Sequence, residues 1–268
     1  MVGTGEPAAE LALAPDGTIL TAAGSRFSRA GSRDAFRAPV PGSRYGQAIA
    51  PLPGGGFAVA GVRGQEDLVL AGFDRDGRPD PSFGSITPFA PRGSTDYREL
   101  LDLVADARRR SLLVLGDFVP TGAQYRYFVY RFGIDGRLDQ RFGSGGRVLV
   151  DPGIGRHSVT GRVALQADGK VVAFGAVLVG GRNELFVARY TVSGRRDPSF
   201  GRDGVVLLDL ARATQYLDYR GEGAVLPGGR LVVAGSAATR STVLYRLRPD
   251  GSLDRTFSRD GRLPLRTL

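Results

Sequence analysis

The feature that most constrains this chain is a pentapeptide, DPSFG, present at Asp80–Gly84 and again at Asp197–Gly201. Two looser copies keep step with it. The segments DGRPDPSFG (Asp76–Gly84), DGRLDQRFG (Asp135–Gly143), SGRRDPSFG (Ser193–Gly201) and DGSLDRTFS (Asp250–Ser258) place their second-position glycines at Gly77, Gly136, Gly194 and Gly251, at intervals of 59, 58 and 57 residues. A fixed period of this size marks a repeat architecture.

A second landmark keeps nearly the same period from the second unit on, after a shortened first interval. LALAPDGTILTAAG ends at Gly24, AIAPLPGGGFAVAG at Gly61, LVADARRRSLLVLG at Gly116, VALQADGKVVAFG at Gly175 and AVLPGGRLVVAG at Gly235. Each reads as strand, tight turn, strand, the pattern of a hairpin. A third segment (DLVLAGF, YRYFVYRF, ELFVARYT, TVLYRLR) is rich in aromatic and β-branched residues, and a short fourth one (SITPFA, GRVLVD, GVVLLDL, GRLPLRTL) follows the repeat Phe.

Four short strands per period and no helical pattern cannot bury their own faces; neighbouring units must stack on them. Radial stacking of four-stranded sheets gives a β-propeller. The expected fold is therefore all-β, a propeller of about five four-stranded blades in a single domain, 1–268. The units lie near 11–36, 48–83, 100–142, 162–200 and 222–257. The first blade is degenerate, with one strand or a long loop lost. The C-terminal strand, 261–267, is expected to close the ring by pairing with the N-terminal unit.

At these residues the chain resembles the bacterial delta-60 repeat family, a propeller-type repeat of unknown function. VALQADGKVVAFG (Val163–Gly175) and LFVARYTVSGRRDPSFG (Leu185–Gly201) carry the resemblance most closely; DARRRS near Leu103–Gly116 departs from it. The resemblance spans the chain from about Leu11. It implies the propeller fold and a secreted or cell-surface setting, with a cytoplasmic one left open, and it brings no catalytic motif.

Composition removes several chemistries. The chain has no cysteine, so disulfides, thiolate metal sites and a cysteine nucleophile are out. His157 is the single histidine, which excludes multi-histidine metal centres. No run of eighteen apolar residues is present to span a membrane, and MVGTGEPAAE does not read as a signal peptide. The net charge of +9 comes almost wholly from arginine, since Lys170 is the one lysine. These arginines are scattered over turns without interleaved aromatics, which argues against a nucleic-acid platform. DRDGRPD (Asp74–Asp80) has Ser85 where a calcium loop needs its distal Glu, so it reads as a turn. No nucleophile elbow, phosphate loop or dinucleotide fingerprint occurs. No cofactor and no metal are expected.

Two sets of residues stand out. An Arg precedes the turn Asp by eight positions in four units: Arg26 and Asp34, Arg131 and Asp139, Arg189 and Asp197, Arg246 and Asp254; the second unit has Gly72 instead, ahead of Asp80. A feature copied into nearly every unit is scaffold, here an ion pair pinning a strand end to its own turn. The second set breaks the symmetry. Arg44, Tyr45, Tyr97, Arg98, His157, Tyr219 and Arg220 fall in the segments entering successive hairpins, which should gather at one mouth of the central channel. The leading expectation is a non-enzymatic, monomeric scaffold presenting loops to a protein or glycan partner. The alternative is a hydrolase or lyase acting on an anionic ligand at that mouth.

Overall fold

The computed structural model describes residues 11–14, 16–21, 26–30, 32–34, 48–63, 67–83, 85–88, 98–118, 126–151, 156–180, 182–212, 220–237 and 241–266. Five antiparallel four-stranded sheets form a five-bladed propeller. Blade one is β1 (Leu11–Leu13), β2 (Ile19–Thr21), β3 (Arg26–Phe27) and β4 (Arg33–Asp34). Blade two is β5 (Ala48–Pro51), β6 (Phe57–Arg63), β7 (Asp67–Phe73) and β8 (Ser85–Pro88). Blade three is β9 (Arg98–Asp106), β10 (Ser111–Phe118), β11 (Arg126–Gly133) and β12 (Arg147–Val150). Blade four is β13 (Arg156–Leu165), β14 (Val171–Val179), β15 (Arg182–Tyr190) and β16 (Val205–Arg212). Blade five is β17 (Arg220–Val225), β18 (Leu231–Ala237), β19 (Ser241–Leu247) and β20 (Arg262–Arg266). Among the described residues no helix is long and apolar enough to cross a membrane.

The core lies between blades rather than within them. Side chains alternate along a strand, so each middle strand feeds two interfaces. On β10, Leu112 and Val114 pack with Leu68 and Ala60 of blade two, while Leu113 and Leu115 pack with Val171 and Ala173 of blade four. On β14, Phe174 and Ala176 turn the other way, onto Val233 and Tyr245 of blade five. Burial on both faces is why these strands read as unbroken apolar runs. The first strands touch one another in series, β1 with β5, β5 with β9, β9 with β13 and β13 with β17, and so form the innermost ring.

One expectation is corrected. The C-terminal strand does not complete the N-terminal unit: β20 pairs antiparallel with β19, Tyr245 opposite Arg262 and Ser241 opposite Arg266. Blade one is finished by its own β4, with Arg26 opposite Asp34. The spacing between landmarks is the same whichever neighbour a fourth strand joins, so period counting could not decide the point. The repeat turn does decide it, folding the chain straight back on the third strand. Blade one is degenerate as expected: all four strands are present, but β3 and β4 have two residues each.

Candidate functional site

In an up-down-up-down blade, the first-to-second and third-to-fourth connections share one end of the ring. The other two kinds of connection share the opposite end. The first end is built from the repeat turns and is nearly uniform. The Asp197 N–H donates to Arg189 O at 3.0 Å and the Phe200 N–H to Asp197 O at 3.1 Å; Asp254 and Phe257 repeat these bonds at 2.8 and 2.9 Å. Gly194 takes a φ of +83°, and a Cβ there would stand 2.7 Å from Gly143 N of the preceding blade, so only glycine lets the turn dock.

The repeated arginines sit at this end. Arg131 Nε donates to Asp139 Oδ2 at 2.9 Å and Arg246 Nε to Asp254 Oδ2 at 2.8 Å. Arg189 Nε lies 2.8 Å from Asp197 Oδ2 in an ion contact whose N–H is off the hydrogen-bond line. Each guanidinium also rides over the repeat phenylalanine, Phe142, Phe200 or Phe257, at 4.5, 4.5 and 4.9 Å from the ring centre. What the sequence did not reveal is the third partner. Arg131 donates to the Val192 carbonyl, Arg189 to that of Pro249 and Arg26 to that of Arg75, in each case in the following blade. The hairpin turns are linked likewise, Arg109 Nη2 to Asp168 O at 2.6 Å and Gln166 Nε2 to Gly229 O at 3.1 Å.

These contacts set the local ionisation. Burial pushes the Asp197 carboxyl up, but hydrogen bonds from the Ser199 hydroxyl and amide, with Lys170 and Arg189 beside it, outweigh that and hold it at about 2. Hydrogen bonds from the Ser82 hydroxyl and amide lower Asp80. Burial carries the Tyr190 phenol up to about 12, out of any acid–base role near neutral pH.

The channel wall carries a charged line that sequence reasoning missed. Asp102 on β9, Arg162 on β13 and Glu222 on β17 stand opposite Leu115, Phe174 and Ala234, each just ahead of its hairpin glycine. Arg162 Nε donates to Glu222 Oε2 at 2.8 Å, and its Nη1 lies 3.5 Å from Asp102 Oδ1. Asp102 Oδ2 accepts the Val163 N–H at 2.8 Å. Arg162 and Glu222 remain partly exposed, at 36% and 46%, whereas Asp102 is buried. The signal was available: three charges at one repeat position of the inner strands, where blade two has Ala48. Among the described residues no group of His, Asp and Glu is arranged to hold a metal ion.

Of the residues expected at the mouth, Arg44, Tyr45, Tyr97 and Tyr219 lie outside the described residues. Arg98, His157 and Arg220 are placed by backbone. Arg98 opens β9, His157 is second in β13 and Arg220 opens β17, at the same end of three adjacent inner strands. In register, Arg98 faces Phe118 and His157 faces Val177, each two residues past the hairpin glycine. Asp34 is placed by its strand alone, opposite Arg26.

A family model described as a domain of unknown function (DUF5122) beta-propeller matches residues 166–200 and 226–257. These stretches belong to blades four and five, the most regular part of a chain whose resemblance was expected to run throughout. Among solved structures, the chain is similar to the Pseudomonas aeruginosa periplasmic gluconolactonase PpgL, with 16% identity and a TM-score of 0.55 over 94% of this chain and 72% of that one. It is similar to a Dyadobacter fermentans protein of unknown function, with 12% identity and a TM-score of 0.52 over 94% and 73%. It is also similar to a subtype N10 neuraminidase-like protein of A/little yellow-shouldered bat/Guatemala/060/2010, with 12% identity and a TM-score of 0.52 over 95% and 81%. At these identities the likeness is one of fold. No curated protein matches the chain.

Proposed function

We propose that this chain is a binding propeller of the delta-60 type, one domain over 1–268, whose loop-bearing end recognises a protein or glycan partner at the cell surface or outside the cell. The observation that carries this reading is the contrast between the two ends of the ring. At one end the same turn bonds and arginine contacts recur from blade to blade. At the other, the segments joining one blade to the next inner strand differ in length, 13, 9, 5 and 7 residues in chain order, and in sequence. A rigid ring with one variable end is suited to recognition, because loops on a fixed scaffold carry specificity at little ordering cost. Arg44, Tyr45, Tyr97, Arg98, His157, Tyr219 and Arg220 would supply the aromatic and cationic contacts. The periplasmic setting in one neighbour's name agrees with an extracytoplasmic location.

A second reading, a hydrolase or lyase acting on an anionic ligand, draws on the Asp102–Arg162–Glu222 line. Arg162 would attract the anion and Glu222 would be the nearest exposed carboxylate. That one neighbour is named a gluconolactonase shows such rings can carry enzymes.

The test is thermal unfolding against acidic and neutral oligosaccharides, nucleotides, short DNA, and calcium with a chelator control. A ligand at a hundred times its dissociation constant adds about 2.7 kcal/mol. A shift by an oligosaccharide that is lost in Arg98→Ala or His157→Ala supports the binding reading. Turnover abolished by Glu222→Gln moves the chain to the second. Binding indifferent to all these substitutions overturns both.

A further inference from the structure

Blade two departs from its neighbours at the uniform end of the ring. It keeps the backbone of the repeat turn: the Asp80 N–H donates to Gly72 O at 2.9 Å and the Phe83 N–H to Asp80 O at 3.1 Å, as their counterparts do in blades three, four and five. It lacks the cations at two repeat positions, although Arg75 and Arg78 line the same place. Gly72 stands where Arg131, Arg189 and Arg246 stand. Gly56 stands where Lys170 and Arg230 approach their repeat aspartates, at 3.2 and 3.3 Å. Among the described residues no cation is placed against the Asp80 carboxylate, which accepts the Ser82 N–H at 2.9 Å and hydroxyl at 2.6 Å, both on Oδ1. A cleft of about 640 Å³ opens at this place, with Gly56, Gly72, Asp74, Asp80 and Phe83 in its lining.

We infer that this cleft receives a guanidinium group from outside the chain, in the place that the repeat's own arginine fills in blades three, four and five.

The sister blades define what the cradle holds. There a guanidinium meets three groups: a carboxylate oxygen at 2.8–2.9 Å, the face of the repeat phenylalanine, and, for Arg131 and Arg189, a carbonyl two residues before the turn glycine of the next blade. Blade two supplies Asp80 and Phe83 in the cleft lining, and the following blade carries Ile134 two residues before Gly136. Asp80 is ionised at neutral pH. Phe83 leans onto Gly72, because a Cβ there would meet its Cγ at 2.3 Å. The incoming group must therefore approach from the solvent side of the ring rather than along the strand. Arg78 does not fill the place; its Nη1 lies 3.4 Å from Asp76 Oδ2. A planar fork that stacks on an aromatic face suits these partners better than the compact ammonium of lysine. The site lies at the end opposite the expected mouth and does not depend on what binds there.

The guanidinium can belong to an arginine in a polypeptide or to a free small molecule, and one titration separates them. The labelled full chain is followed by amide chemical shifts while N-acetylarginine methylamide, methylguanidinium and N-acetylcitrulline methylamide are added in turn. The expected result is a saturable perturbation centred on Gly72–Phe83 with the arginine compound and none with the neutral citrulline. Asp80→Asn should weaken it about tenfold, the loss of one charge-assisted contact. Tighter binding of the arginine compound than of methylguanidinium assigns a polypeptide as the source; equal binding assigns a free guanidinium compound. Gly72→Arg requires Phe83 to move off the new Cβ; once it has, the side chain fills the place from within and should abolish binding, and if the variant does not fold the Asp80→Asn arm still decides. No saturable perturbation, equal response to citrulline, or binding unchanged in Asp80→Asn overturns the inference.

Discussion

Arg189 and Pro249 belong to different blades, and the guanidinium of the first donates to the carbonyl of the second. The same guanidinium holds Asp197 in its own turn and covers the ring of Phe200. One side chain thus closes its own turn and ties it to the next, which explains why the arginine recurs through the repeat.

Removing this tie should be costly. Arg189 and Asp197 are both buried, with side chains 4% and 6% exposed. Arg189→Ala leaves the buried Asp197 with Lys170 as its one cation and strands the Pro249 carbonyl and the Phe200 face, and about 3–5 kcal/mol of stability should be lost. Urea unfolding would show it directly, and the melting temperature should fall by roughly 6–15 °C. Arg78→Ala, at a side chain 78% exposed, should stay within about 0.5 kcal/mol.

Acid should loosen the ring through Asp197. Its carboxyl is held at about 2 in the folded chain, against an ordinary value of 3.8. A depressed carboxyl stabilises the fold above the unfolded value and ceases to do so as the pH falls through the folded one. The contribution, about 1–2 kcal/mol after allowance for solvent screening, should therefore be complete above pH 3.8 and vanish towards pH 2. In Asp197→Asn the stability curve should be flatter across that window; an unchanged slope would count against this assignment.

The channel wall offers a third check. Asp102→Ala strands the buried Val163 N–H and frees Arg162 from one partner, so about 1–3 kcal/mol should be lost. Asp102→Asn keeps an acceptor for Val163 and should cost less. Equal urea midpoints for the two variants would mean that the backbone contact matters little.

The path of the last strand can be tested by cross-linking, since the chain has no cysteine of its own. Thr242 and Leu265 stand opposite each other across β19 and β20. Thr242→Cys with Leu265→Cys should oxidise to a disulfide, because opposite residues in an antiparallel pair lie within bridging distance. A cross-link forming instead between Leu265→Cys and a cysteine placed in β1 would restore the ring-closing arrangement.

Much of the fold was legible because repetition multiplies a weak signal. A hairpin such as VALQADGKVVAFG is ambiguous alone, but five in step define blades. The Arg–Asp spacing pointed to an ion pair for the same reason. Asp102, Arg162 and Glu222 were harder to see, because each shares its strand with other charges, such as Arg98, Arg156 and Arg220. Only the packing of inner strands from three blades brings them together. The cradle in blade two is half legible: Gly72 departs from the repeat arginine in the sequence, but the cleft beside Asp80 exists only in the packed blade.

The sequence by itself determined the period, the strand content and the number of blades, since these follow from local alternation and turn chemistry that every unit repeats. Tertiary structure decided which blade the last strand joins, how the arginines tie one blade to the next, and where the ring leaves a charge without its usual partner. The ties between blades depend on contacts between residues about sixty positions apart, such as Arg189 with Pro249 and Arg162 with Glu222. Local spacing constrains such contacts only through the way neighbouring blades stack.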